Sequence, residues 1–211
     1  MNWGDLDYDG DLDLVTGSYD AELSLVMSNQ VLFNGGTGIH YYQNQDGSFV
    51  ETQLTEQAQA LTILLSDINS DAKWDIIAGN DFSELDRHWT SQESGWEEIT
   101  PFTTITHSTM SFDSADLHND GSQELCATDM HLYSVDETTM AAWQPVMDDM
   151  MAMPMMEGDP QAMSNMLQTM VDGAYLNTAE AMGINASAGV GHRNLATWIA
   201  MALSISTLSM A

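Results

Sequence analysis

The chain has 211 residues, enough for one domain with a sizeable core or for two small domains. Its 32 acidic residues against 3 basic residues give a formal net charge of −29, which repels nucleic acid and anionic lipid and attracts cations. The composition therefore argues against nucleic-acid binding, and the single cysteine excludes an intramolecular disulfide framework.

The first predicted element is an aspartate-rich loop near the amino terminus. Asp5, Asp7, Asp9 and Asp13 stand at positions 1, 3, 5 and 9 of this loop, and Gly10 stands at position 6. Alternate side chains of a tight loop converge on one centre, calcium accepts about six to eight oxygen ligands, and glycine permits the sharp turn. The pattern predicts a calcium-binding loop that leads into a short apolar strand.

Two further segments have the same design. The candidate metal ligands are Asp67, Asn69, Asp71 and Asp75 in the second loop, and Asp116, His118, Asp120 and Glu124 in the third loop. Ala72 replaces the glycine of the second loop, where a left-handed turn would be strained by roughly 1 kcal/mol. His118 stands where the third loop needs an oxygen, so calcium occupancy of that loop is left open.

An EF-hand begins with the same spacing, but it requires a bidentate glutamate at position 12 and helices on both sides. Position 12 falls on Thr16, Ala78 and Ala127 in the three loops, and none of these side chains can chelate calcium. The apolar runs around the second loop, 60–65 and 74–79, have the length of strands. The loops are therefore predicted to join strands.

The segment Trp3–Val15, with the sequence WGDLDYDGDLDLV, resembles the core motif of FG-GAP/VCBS repeats. Segments similar to the hairpin of that family begin at Ile39, Gly95 and Asp172. The resemblance implies an all-β fold, a partial β-propeller of four-stranded blades with calcium loops on one face. Because propellers usually have about four to eight blades, three loops at intervals of 62 and 49 residues suggest a truncated chain.

The predicted organisation has four parts. Residues 1–139 form about three blades, 140–171 a short Met-rich helical insertion, 172–188 the start of a further blade, and 189–211 an atypical tail. Ten methionines lie in 140–170, those of 161–170 at helix-like spacing. A Cu(I) site is one interpretation, but this stretch contains no histidine or cysteine, and methionines that fill an irregular contact are favoured.

The tail differs in composition from the rest of the chain because no acidic residue follows Glu180. Residues 197–211 are too short and too polar for a membrane span, although they could form a surface helix that oligomerises. A third interpretation is a frameshift near 189–191. In the alternative reading frame, the codons of 198–199 and 201–202 force Asp and Gly at the spacing of Asp7 and Gly10.

The family resemblance implies a secreted or cell-surface scaffold that binds Ca²⁺ and mediates adhesion to a protein or glycan ligand without catalysis. No signal peptide opens this sequence, which fits a truncated start, and no membrane insertion is expected. The alternative is a calcium-dependent propeller enzyme that acts on polysaccharide. Such an enzyme needs convergent acid, base and positioning residues, whereas the six histidines are scattered singly.

Overall fold

The computed structural model describes residues 1–19, 37–81, 84–129 and 160–185, together with helical residues at 137–138, 141–142 and 144–145. The strands in this part of the chain are β1 Asn2–Gly4, β2 Asp13–Gly17, β3 Ile39–Gln45, β4 Ser48–Thr55, β5 Ala60–Ser66, β6 Asp75–Asn80, β7 Arg87–Gln92, β8 Gly95–Ile99, β9 Ile105–Thr106, β10 Thr109–Ala115, β11 Glu124–Asp129, β12 Gln161–Ala162, β13 Met166–Val171 and β14 Ala174–Asn177. The predicted all-β class is confirmed.

Twelve of these strands form three four-stranded antiparallel sheets. Sheet 1 contains β1 to β4, sheet 2 contains β5 to β8, and sheet 3 contains β10, β11, β13 and β14, each with its strands side by side in chain order. The short strands β9 and β12 pair in parallel. Four-stranded sheets were expected from the sequence, and no closed ring is present in the described residues; the assignment as a partial propeller stays a prediction.

The core lies between successive sheets, because alternate residues of a strand point to opposite faces. One buried cluster joins sheets 1 and 2 and includes Val15, Ile76 and Trp89. A second cluster joins sheets 2 and 3 and includes Ile77 and Leu125. Neighbouring residues of β6 therefore belong to different clusters, and sheet 2 is buried on both faces.

Two glycines allow this close packing. A Cβ atom on Gly17, at the end of β2, would lie 2.5 Å from the Cβ of Ala60 in sheet 2. A Cβ atom on Gly79, near the end of β6, would lie 2.5 Å from Cγ2 of Thr109 in sheet 3. The matching position of β11 is occupied by Thr128, whose hydroxyl is 2.8 Å from that of Ser111.

The predicted Met-rich helical insertion is not present in the described residues: 141–142 and 144–145 are helical, but 160–171 contain no helix. Met166–Val171 is strand β13, which is hydrogen-bonded to β11 on one side and to β14 on the other. Methionine spacing alone suggested a helix, but strand pairing and burial override that local pattern. Met166 is almost completely buried in the second cluster, so it has the packing role that the sequence favoured.

The predicted start of a further blade at residue 172 is also wrong. Asp172 and Gly173, with φ of 51° and 82°, form the tight turn of the β13–β14 hairpin, which completes sheet 3. Residues 166–171 therefore belong to the third sheet instead of to an insertion between two blades. Residues 146–159 and the predicted tail, 189–211, lie outside the described residues.

In the described part of the chain, no helix has the length and apolar character needed to cross a membrane.

Candidate metal site

Each acidic loop connects the first and second strands of one sheet, as the sequence predicted. The backbone is left-handed at positions 4 and 6 of every loop, at Tyr8 and Gly10, Ser70 and Ala72, and Asn119 and Gly121. Ala72 has φ of 65°, so the predicted strained turn of the second loop is confirmed. No sequence signal predicted the left-handed conformation of Tyr8 and Ser70 at position 4. In the third loop this position is Asn119, and asparagine tolerates the left-handed conformation.

The aspartate at position 1 closes each loop. Its Oδ2 accepts the backbone N–H of position 6, with N···O distances of 3.2 Å for Asp5, 2.8 Å for Asp67 and 2.9 Å for Asp116. Short-range hydrogen bonds of this kind are typical of aspartate in turns. They hold the position-1 carboxylate against the backbone of position 6 in each loop.

The first loop brings three carboxylates together. Asp5, Asp7 and Asp9 each have an oxygen within 4.8 Å of the others, and no other set of three Asp, Glu, His or Cys side chains meets this criterion in the described residues. Oδ1 of Asp5 is shielded from solvent but has no hydrogen-bond partner in the described structure. A buried carboxylate oxygen is costly without a partner, and a hard cation would supply one.

Asp11 adds to the negative potential of the first loop. Its Oδ1 is also shielded and without a hydrogen bond in the described structure. Burial, followed by repulsion from Asp9, Asp13 and Asp7, raises the pKa of this carboxyl. None of the ion pairs between described residues involves these acids, so a bound divalent cation is the charge that would relieve their repulsion.

The acids at position 9 have a bracing role in the structure, and their predicted role as metal ligands stays a prediction. Asp13, Asp75 and Glu124 are almost completely buried at the start of the second strand of each sheet. Their carboxylates accept the N–H of position 2, with N···O distances of 3.1 Å from Leu6, 2.9 Å from Ile68 and 2.7 Å from Leu117. The structure does not bring them into a three-ligand set, and they brace the loops.

Asp13 also connects the first loop to strand β3. Its Oδ2 accepts a hydrogen bond from the hydroxyl of Tyr41 at 3.0 Å, and its Oδ1 accepts the N–H of Asn44 at 2.8 Å. Burial and the hydrogen bond to Asp13 raise the pKa of Tyr41. The acid at position 9 therefore holds the metal loop against the sheet, a role that could have been suspected because it is the first residue of a buried strand.

The second and third loops are less suited to a cation. In the second loop, Oδ1 of Asn69 accepts the N–H of Asp71 at 3.0 Å, so a neutral amide stands at position 3. In the third loop, Nδ1 of His118 is 2.9 Å from Oε1 of Glu124, and this hydrogen bond raises the pKa of His118. His118 thus pairs with the position-9 acid, and the third loop lacks an oxygen ligand at position 3.

Comparison with protein-family models, curated proteins and solved structures found no match to the chain. The resemblance to FG-GAP/VCBS repeats therefore stays a prediction from the loop and hairpin motifs. The features of the chain that bear on its function are the repeated loop geometry and the three carboxylates of the first loop.

Proposed function

We propose that this chain is a calcium-binding repeat scaffold of the FG-GAP/VCBS type that acts outside the cell and binds a protein or glycan ligand without catalysis. The observation that carries the proposal is the cluster of Asp5, Asp7 and Asp9, which includes a shielded oxygen without a hydrogen bond. The repeated loop between the first two strands of three sheets supports the repeat interpretation.

Calcium would act structurally at this site. In this proposal the three carboxylates of the first loop hold the ion, Asp13 positions the loop, and the ion cancels the repulsion within a chain of net charge −29. Because the loop ligands converge only when the hairpin is folded, metal binding would stabilise the folded state. The second and third loops are proposed to keep their turn geometry with weaker calcium binding.

The test is thermal denaturation in calcium and in chelator. Loops of extracellular modules bind calcium with Kd of roughly 10⁻⁴ to 10⁻³ M. At about 10 mM calcium, such a site stabilises the folded state by about 1.4 to 2.7 kcal/mol, which raises Tm by about 3 to 10 °C. Magnesium at the same concentration is the control for general screening of the net charge, because this ion fits a flexible loop less well.

A variant pair locates the effect. Asp9→Asn removes one charge but keeps an oxygen that can accept the N–H of Asp11, whereas Glu97→Gln removes one charge from the exposed face of β8. We expect the calcium-dependent Tm shift to fall by more than about half in Asp9→Asn and to stay unchanged in Glu97→Gln. Equal shifts with calcium and magnesium, or equal shifts in the two variants, would contradict the proposal.

A further inference from the structure

A cleft of about 480 Å³ lies between sheets 1 and 2, beside the candidate metal site. Among its lining residues are Asp7 and Tyr8 of the first loop, Gln43 of β3, Lys73 of the second loop, and Gln92 and Trp96 of the β7–β8 hairpin. Its volume is in the range of small-ligand sites, which is about 300 to 1,000 Å³. The cleft is thus large enough for part of an oligosaccharide chain.

Contacts across the two sheets hold the walls of this cleft in place. The rings of Tyr41 and Trp96 pack edge to face with a centroid distance of 5.5 Å. The backbone N–H of Trp74 in the second loop donates to the hydroxyl of Tyr8 in the first loop at 2.7 Å. A preformed site loses less conformational freedom on binding, so these contacts favour a ligand-binding role.

The chemistry of the lining selects the class of ligand. Asp7 and Glu93 give the lining two acids, and the net charge of −29 repels an anionic ligand. The positive charge of Lys73 repels a cationic ligand, and among the described residues Lys73 forms no ion pair. An uncharged ligand avoids the repulsion that an anion or a cation would meet in this cleft. If the ligand is rich in hydroxyl groups, amides and Lys73 can hydrogen-bond its hydroxyl oxygens, and aromatic rings can contact the apolar faces of sugars.

The cleft shares a residue with the candidate metal site. Asp7 lines the cleft and belongs to the three-carboxylate set, and its Oδ2 accepts a hydrogen bond from Nε2 of Gln43 at 2.6 Å. An ion on Asp7 would therefore fix one wall of the cleft and reduce its negative charge. From these observations we infer that the cleft binds a neutral oligosaccharide and that calcium strengthens this binding; the calcium dependence rests on the proposed function.

The experiment is isothermal titration calorimetry of the whole chain with cellohexaose, mannohexaose, chitohexaose and, as the acidic probe, hexagalacturonate. We expect at least one neutral probe to bind in calcium, more weakly in chelator, and the acidic probe to bind more weakly than the neutral one. Trp96→Ala should weaken binding by at least about tenfold. Trp3→Ala is the matched control, because Trp3 is exposed and does not line the cleft.

Gln92→Ala is the second cleft variant, chosen because the side chain of Gln92 is exposed and lies outside the buried core. It should also weaken binding of the neutral probe. The inference is overturned if no neutral probe binds, if hexagalacturonate binds more tightly, or if neither cleft variant differs from Trp3→Ala. A calcium-dependent rise in Tm without sugar binding would overturn this inference alone, whereas sugar binding that is equal in calcium and chelator would overturn its calcium dependence.

Discussion

The substitution Ala72→Gly should stabilise the protein, although it removes a side-chain atom. Ala72 has φ of 65°, a left-handed conformation that costs a non-glycine residue about 1 to 2 kcal/mol. Relief of this strain is partly offset, because glycine increases the conformational entropy of the unfolded chain and so lowers the stability by about 0.4 to 1 kcal/mol. Ala72 is exposed, and its N–H can still donate to Asp67, so the net gain should be about 0.5 to 1 kcal/mol.

The assay is thermal and urea denaturation of Ala72→Gly beside the reciprocal variant Gly10→Ala. Gly10 occupies the same position of the first loop with φ of 99°, and a Cβ atom there would meet nothing within 4 Å. The free-energy cost of Gly10→Ala is therefore conformational and not steric. Tm should rise in Ala72→Gly and fall in Gly10→Ala, by about 1 to 4 °C each. A lower Tm for Ala72→Gly, or a higher Tm for Gly10→Ala, would refute the reasoning.

Two further predictions concern pH. Asp86 is buried, accepts hydrogen bonds from the N–H of Asn80 and the hydroxyl of Thr109, and has a pKa raised by burial to about 7. Because its folded pKa exceeds the unfolded value, Asp86→Asn should gain stability relative to wild type as pH rises from about 4 to 8, by up to about 4 kcal/mol in urea denaturation. The hydrogen bond to Glu124 raises the pKa of His118, so its contribution to stability is complete below the unfolded pKa and is lost as pH rises through the folded pKa. The stability advantage of wild type over His118→Gln, less than about 1 kcal/mol at this half-exposed site, should therefore shrink as pH rises, and the Tm difference should shrink with it.

Each pH prediction is a difference between two proteins, because the many other acids of the chain titrate in both members of a pair. A constant stability difference between wild type and Asp86→Asn over this pH range would contradict the buried-acid argument. For the histidine, a Tm difference that grows as pH rises would contradict the assigned sign.

The sequence was sufficient to predict features that depend only on residues close together in the chain. Aspartates at positions 1, 3 and 5, with glycine at position 6, predicted the turn and the cluster of Asp5, Asp7 and Asp9. The strands on either side of the second loop followed from the apolar runs 60–65 and 74–79, and the hairpin at Asp46–Gly47 followed from its turn residues. Here local geometry and tertiary structure agree.

The sequence failed where long-range pairing decides the outcome. Met166–Val171 has a helix-like methionine spacing, but partners on both sides make it a strand, and one of them is about forty residues away in the chain. The spacing that predicted the position-9 acids as metal ligands did not reveal their burial. Asp13 is fully buried and accepts hydrogen bonds from the N–H groups of Leu6 and Asn44, and its role as a ligand stays a prediction.

Thr128 makes the outer face of sheet 3 different from the equivalent faces of sheets 1 and 2. Sheets 1 and 2 each have a glycine, Gly17 or Gly79, where they pack against the next sheet. The next sheet lies so close that a single added methyl carbon would overlap it. Sheet 3 instead offers Thr128, already hydrogen-bonded to Ser111 on its own sheet. Any element that packs on that face must stand farther away than the spacing inside the stack, so extending the array at constant spacing would first require Thr128→Gly.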